Sequence, residues 1–308
     1  MPDNHRRTRR VRATSVLMTA VLTGLLSTTG CDAAGGVDEP AARRSDPKLA
    51  SQWDTSPASI AALGDSITRG FNACKALTDC PTASWATGSD PKVRSLAQLL
   101  LKNPQRNSWN FARTGAKMAD LPEQVTVAIA ERPKLVTVLI GANDACRDST
   151  NLMTPVSDFR SDFKAAMKQL RRALPTTQVY VPSVPDLKRL WSQGRHSASA
   201  KRAWKLGICE SMLNKPDDLD KAAKDRRQRV YDRVAAYNTA LRKVCREDPL
   251  CRYDGGEVFD YRFTIKQLSR LDFFHPSKKG QERLAEVAYR QITAKMPVNY
   301  RSPRLPKS

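Results

Sequence analysis

Short apolar runs alternate with longer amphipathic ones along most of this chain, and few folds accept that pattern. The apolar runs are SIAAL (59–63), WNFA (109–112), KLVTVLI (134–140), QVYVPSV (178–184) and GEVFDY (256–261), each bounded by Gly, Pro, Asn or Asp. Such runs between turn residues read as strands. Helical patterns lie between them at 92–103, 122–132, 156–174 and 218–246, and a last one covers 278–296. In SDFKAAMKQLRRAL (161–174) apolar residues recur every three or four positions, which gives one buried stripe. Strands that alternate with helices predict an α/β domain whose parallel sheet is covered on both faces. At 308 residues, 40% hydrophobic and 27% charged, the chain can bury one such core. No internal repeat interrupts it.

The N-terminus follows another logic. Five arginines fall within residues 1–12, an apolar stretch runs from Val16 to Leu26, and STTGC ends at Cys31. A basic start, a short apolar middle and a small-residue exit describe an export signal over 1–31. The middle is too short to span a bilayer, which takes about 20 residues. The exit resembles a bacterial lipobox, in which Cys31 would carry lipid and anchor the protein to a membrane. Thr28 stands where leucine is usual there, so free secretion stays open. Residues 32–57 are small and polar and read as a flexible tether, 58–296 as the folded domain, and 297–308 as a disordered basic tail.

Six further cysteines, Cys74, Cys80, Cys146, Cys209, Cys245 and Cys251, suit an oxidising compartment. Six thiols allow 15 pairings. The near neighbours Cys74–Cys80 and Cys245–Cys251 can each close a small loop, which leaves Cys146 for Cys209. A metal site is the rival, but the chain has no C-x-x-C and only three histidines, so no metal or other cofactor is expected. The net charge of +21 favours anionic partners or, more plainly, a solvated basic face. No nucleic-acid motif accompanies it.

Chemistry gathers where strands end. GDSITRG (64–70) follows the first run, Arg113-Thr114-Gly115-Ala116 the second and Gly141-Ala142-Asn143-Asp144 the third. In open α/β sheets functional groups collect at the carboxyl ends of the strands. LDFFHPSKKGQ (271–281) precedes the last helix. Acyl transfer by serine needs an imidazole to take the proton and an acid to orient that imidazole. Ser66 is the candidate nucleophile, and His275 is the one histidine well placed. Asp272 lies three residues earlier, one turn from the ring. Oxyanion donors would be the N–H groups of Ser66 and Gly115 and the amide of Asn143, each worth about 3 kcal/mol in a site of this kind.

These segments, GDSITRG, NFARTGA (110–116), GAND (141–144) and DFFHPS (272–277), resemble the four blocks of the SGNH (GDSL-type) hydrolases. The resemblance runs from Leu63 to about Gln281. It implies a three-layer, flavodoxin-like α/β/α fold with a central five-stranded parallel sheet. It also implies Ser66 as nucleophile, Gly115 and Asn143 as oxyanion donors, and Asp272 with His275 completing the triad. The G-x-S-x-G elbow of ordinary α/β-hydrolases is missing, because Thr68 stands at its last glycine. GANDAC and VPSVPDLKRLWSQG (181–194) are similar to the secreted actinobacterial esterase/lipase and phospholipase B-like branch.

Leu187, Leu190 and Trp191, with Phe273 and Phe274, are candidate walls of an acyl pocket. The expectation is thus an exported serine ester hydrolase, an esterase or lipase acting on ester-containing lipid, monomeric and without a nucleic-acid partner. A carbohydrate O-acetylesterase and a non-catalytic surface-binding protein on the same fold remain the alternatives.

Overall fold

The computed structural model describes residues 53–295. The export signal, Cys31, most of the tether and the basic tail lie outside the described residues. Five strands form one sheet: β1 (Ile60–Gly64), β2 (Ser108–Asn110), β3 (Leu135–Leu139), β4 (Gln178–Val181) and β5 (Cys251–Tyr253). Their order is β2-β1-β3-β4-β5, and every neighbouring pair is parallel. All residues of β1, β3 and β4 are buried. That is why these strands read as unbroken apolar runs rather than alternating ones.

Handedness then sorts the helices. Right-handed crossovers put connections that step the same way across the sheet on the same face. Leu121–Ala130, Val156–Ala173 and Lys221–Arg246 connect successive steps from β2 to β5 and pack against one another in turn. The step from β1 to β2 runs the opposite way. Its helix, Leu96–Leu100, packs with the closing helix Lys278–Thr293 on the other face. The result is the three-layer fold expected from the sequence.

The fifth strand differs from expectation. GEVFDY does not extend; Glu257–Asp260 forms a helical turn instead. Gly255 and Gly256 both hold positive φ, and Asp254 accepts from the N–H groups of Gly256 and Val258, which fixes a tight corner. The strand is Cys251–Tyr253, where the charge of Arg252 hid it. That guanidinium donates to the carbonyls of Gln291, Ala294 and Lys295 and stacks on Trp53. Trp53 also donates to Ile292 O at 2.9 Å, so the packed chain already includes a residue assigned to the tether.

Two helices occupy 187–204, a stretch to which the sequence pattern assigns no element. Leu187–Gly194 is capped by Asp186 and Ala198–Trp204 by Ser197, each side chain accepting a first-turn N–H. Cys74–Cys80, Cys146–Cys209 and Cys245–Cys251 are disulfides, the pairs read from spacing.

Candidate active site

β1 delivers a serine to the carboxyl edge of the sheet through a corner only glycine can make. Gly64 has φ +143°, and a Cβ there would lie 2.2 Å from Leu139 O on β3. The Gln124 carboxamide clasps this residue, accepting from its N–H at 2.8 Å and donating to its carbonyl at 2.9 Å. Asp65 then caps the short helix Ser66–Arg69 by accepting the Ile67 N–H at 2.9 Å. Gly70, in the left-handed region, ends it. Ser66 is thereby held at the first helical position, 5% exposed.

The imidazole comes from the loop before the last helix. The Ser269 N–H donates to His275 O, the Phe273 N–H donates to Ser269 O, and Leu268 pairs with Pro276. This closed loop sets His275 Nε2 2.9 Å from Ser66 Oγ and Nδ1 2.6 Å from Asp272 Oδ2. Phe71 and Phe274 flank the ring, each 5.0 Å away between centroids. Asp272 Oδ1 accepts the N–H groups of Phe274 and His275. Burial works to raise the Asp272 pKa. The hydrogen bonds from His275 and Asn72 outweigh burial and hold the carboxyl below its ordinary value.

Asn72 is the residue the sequence did not disclose. Its Nδ2 donates to Asp272 Oδ2, on the same oxygen that faces His275. Its Oδ1 accepts the Leu77 N–H at 2.6 Å, and its carbonyl accepts Ser269 Oγ at 2.6 Å. Asn72 sits at φ 57°, a region asparagine tolerates better than most residues. An asparagine just before a cysteine-closed loop was the available signal.

The expected oxyanion donors lie on adjoining strand ends. Gly64 and Leu139 are register partners, so the segments after β1 and β3 start side by side. Asn143 Nδ2 donates to Ala116 O at 2.9 Å, which ties the third block to the Gly115 turn. Gly115 has φ +82° with open space on its Cβ side. Its N–H and that of Ser66 are engaged by no other group among the described residues. Behind them Asp144 is buried, accepts the Met118 N–H at 2.9 Å, and has its pKa raised by that burial. Asp65 is pushed up to about 7, chiefly by burial, with the Ile67 N–H and the charge of His275 pulling it back. Its second oxygen has no partner, which suits a neutral carboxyl.

An apolar cleft adjoins the serine. Ile67 and Ala142, next to Ser66 and Asn143, line it with Leu187, Leu190, Phe274 and Pro276. Two expected wall residues are elsewhere. Trp191 is buried in a cation–π stack with Arg227 at 4.2 Å and donates to Pro216 O. Phe273, at φ 54°, turns into the core, and its carbonyl accepts from Trp204 Nε1. Tyr261 and Phe263 also line the cleft and were missed: Tyr261 ends a run assigned to a strand, and Phe263 lies just beyond it, in no assigned element. Among the described residues no cluster of three or more His, Cys, Asp or Glu is placed to hold a metal ion.

A serine, an imidazole and a carboxylate in one hydrogen-bonded line, at the carboxyl edge of a parallel α/β sheet, are an arrangement of the serine-hydrolase type. The chain belongs to the GDSL-like lipase/acylhydrolase family, whose model matches residues 60–288. It is similar to membrane-associated phospholipase B1 of Rattus norvegicus, 28% identical over 196 residues, covering 50% of this chain and 13% of that protein. The Homo sapiens phospholipase B1 is 28% identical over 194 residues, covering 53% of this chain and again 13% of the relative. The chain therefore spans a small part of these relatives. Among solved structures, the α/β hydrolase LAE5 from the Lake Arreo metagenome aligns with TM-score 0.48 and 14% identity, covering 79% of this chain and 99% of that one. A family two carbohydrate esterase from Clostridium thermocellum aligns with TM-score 0.47 and 13% identity, covering 76% and 63%.

Proposed function

We propose that this protein is an exported serine ester hydrolase that cleaves acyl esters of lipids through an acyl-enzyme. The observation that carries the reading is the Ser66–His275–Asp272 line, at 2.9 Å and 2.6 Å. Family membership and the apolar cleft beside the serine support it.

In this reading Ser66 Oγ attacks the ester carbonyl while its proton passes to His275 Nε2. Asp272 holds the Nδ1–H and stabilises the imidazolium that forms. The N–H groups of Ser66 and Gly115 and the Asn143 amide receive the developing oxyanion. The imidazolium protonates the departing alcohol or lysolipid. A water then gives its proton to His275, attacks the acyl-enzyme and frees the acid.

One observation favours a second reading, a short-acyl esterase such as a carbohydrate O-acetylesterase. The cleft offers about 40 Å³, and a single water needs about 10–15 Å³ of such space. As it stands the cleft seats an acyl group of a few carbons, and a longer chain must continue along its open side. A p-nitrophenyl ester series from acetyl to palmitoyl, with phosphatidylcholine included, separates the two. Turnover that rises beyond acetyl supports the lipid reading, and activity confined to acetyl establishes the other. No turnover on any ester defeats both.

A further inference from the structure

Leu77 and Leu206 are each 83% exposed, more than any other large apolar side chain among the described residues. Leu271 is 46% exposed. Isolated surface leucines are ordinary. These three are not isolated: hydrogen bonds lead from Leu77 and Leu271 to the segment that carries Asp272 and His275, and Leu206 follows a helix whose last residue is bonded to that segment. The Leu77 N–H donates to Asn72 Oδ1, and Asn72 Nδ2 donates to Asp272. The Leu271 N–H donates to Ser269 Oγ, which donates to Asn72 O. Leu206 lies two residues beyond Trp204, whose indole N–H donates to Phe273 O.

The loops that carry them are fixed in place. Cys74–Cys80 closes the loop of Leu77, and Cys146–Cys209 pins the segment after Leu206 to the strand end that carries Asn143. Leu77 also holds φ 54°, an uncommon conformation for a branched apolar residue. Neither folding propensity nor core packing accounts for a leucine kept there and turned to water.

A cation stands beside each. Lys75, Lys205 and Arg270 are exposed and take part in no ion pair among the described residues. The acid of the first loop, Asp79, is already paired with Arg69 at 3.0 Å. On the segment of Leu206 the nearby carboxylate is Glu210. The excess is positive, as in the whole chain at +21.

We infer that Leu77, Leu206 and Leu271 form a docking rim around the active-site opening, fitted to an anionic lipid surface. The leucines enter the acyl boundary, and Lys75, Lys205 and Arg270 meet the headgroup charge. This deepens the lipid-ester reading and rests on it for its purpose, although docking is measured separately from turnover. Removing an apolar anchor of leucine size from a lipid interface weakens binding by roughly tenfold. Phosphate charge near the surface adds about 1 kcal/mol per cation, or roughly fivefold.

The test is vesicle sedimentation with the full chain. Ser66→Ala is used so that the lipid survives, and Cys31→Ser is present throughout so that no attached acyl chain contributes. Binding to vesicles of equal phosphatidylglycerol and phosphatidylcholine should exceed binding to phosphatidylcholine alone by at least tenfold. Adding Leu77→Asn, Leu206→Ser and Leu271→Ser should lower it at least tenfold. The same three changes with Ser66 restored should leave p-nitrophenyl butyrate turnover within twofold, which also reports that the fold is intact. If the parent binds neither vesicle, the rim is not a lipid surface and fits a protein partner better. Equal binding by parent and triple variant means diffuse charge does the work, and the proposal falls. Docking that survives in a protein with no esterase activity would uphold the rim and remove the ester reading.

Discussion

At the ends of β1 and β5 the chain makes nearly the same corner. A buried aspartate follows the strand, and a four-residue helical turn follows the aspartate. Asp65 holds the Ile67 N–H; Asp254 holds those of Gly256 and Val258 and accepts from Ser183 Oγ. Burial raises both, Asp65 to about 7 and Asp254 to about 6. The difference lies in what each leaves unused. Asp254 engages both oxygens, whereas Asp65 Oδ2 has no partner. Ser66, just beyond Asp65, faces the His275 imidazole. One device thus builds both corners, and the one beside Ser66 is left less fully bonded.

The largest expected difference between the corners is kinetic. Ser66→Ala should lower kcat on p-nitrophenyl butyrate by about five to six orders of magnitude with the fold intact by circular dichroism. Asp254→Asn should leave kcat within about twofold while costing about 1–3 kcal/mol in urea unfolding. A surviving activity in the first variant would remove the distinction altogether. Asp272→Asn should cost about 10⁴ in kcat, because the imidazole loses the group that fixes its tautomer. Asn72→Ala should follow at about tenfold in kcat with KM unchanged, since it frees one oxygen of Asp272 but leaves His275 bound.

The smaller effects are thermodynamic. Opening Cys146–Cys209, 63 residues apart, should cost about 4 kcal/mol on the chain-entropy scale, and opening Cys245–Cys251, six apart, about 2. Equal losses would show that local contacts, not chain closure, dominate. The pH dependence is the finest comparison. Asp65 is held above its ordinary 3.8, so the folded protein keeps that proton up to about 7 while the unfolded chain releases it near 4. The folded state therefore binds more protons across that window, and its stability falls as pH rises through it. Asp65→Asn should flatten melting temperature against pH between about 4 and 7, whereas Asp254→Asn should flatten only the part up to about 6.

Much of the site was legible because serine chemistry needs particular residue types at strand ends. Ser66, Asp272 and His275 fall into hydrogen-bonded contact as their spacing suggested. Three strands, β1, β3 and β4, were equally plain, since a parallel strand buried on both faces has little choice but to be apolar, and the partly buried β2 overlaps its expected run at Trp109 and Asn110. The fifth was not. Arg252 is buried only because three carbonyls and Trp53 receive its guanidinium, and those partners lie far away in sequence. Trp191 misled for the same reason, its place being set by Arg227 on another helix. Asn72 acts through a bond spanning 200 residues, and the cysteine-closed loop just after it does not say what it binds. Tertiary polar contacts thus account for what the sequence withheld.

The contact of Trp53 with Arg252 has a practical side. Arg252 also donates to the carbonyls of Ala294 and Lys295, and Asp54 O accepts from Gln178 at the start of β4. Both ends of the packed domain are thus moored near the amino-terminal margin of the sheet, opposite the serine. A bead or surface coupled through either mooring would leave the Ser66 margin facing outward, and the bond from Trp53 to Ile292 O brings the two moorings together.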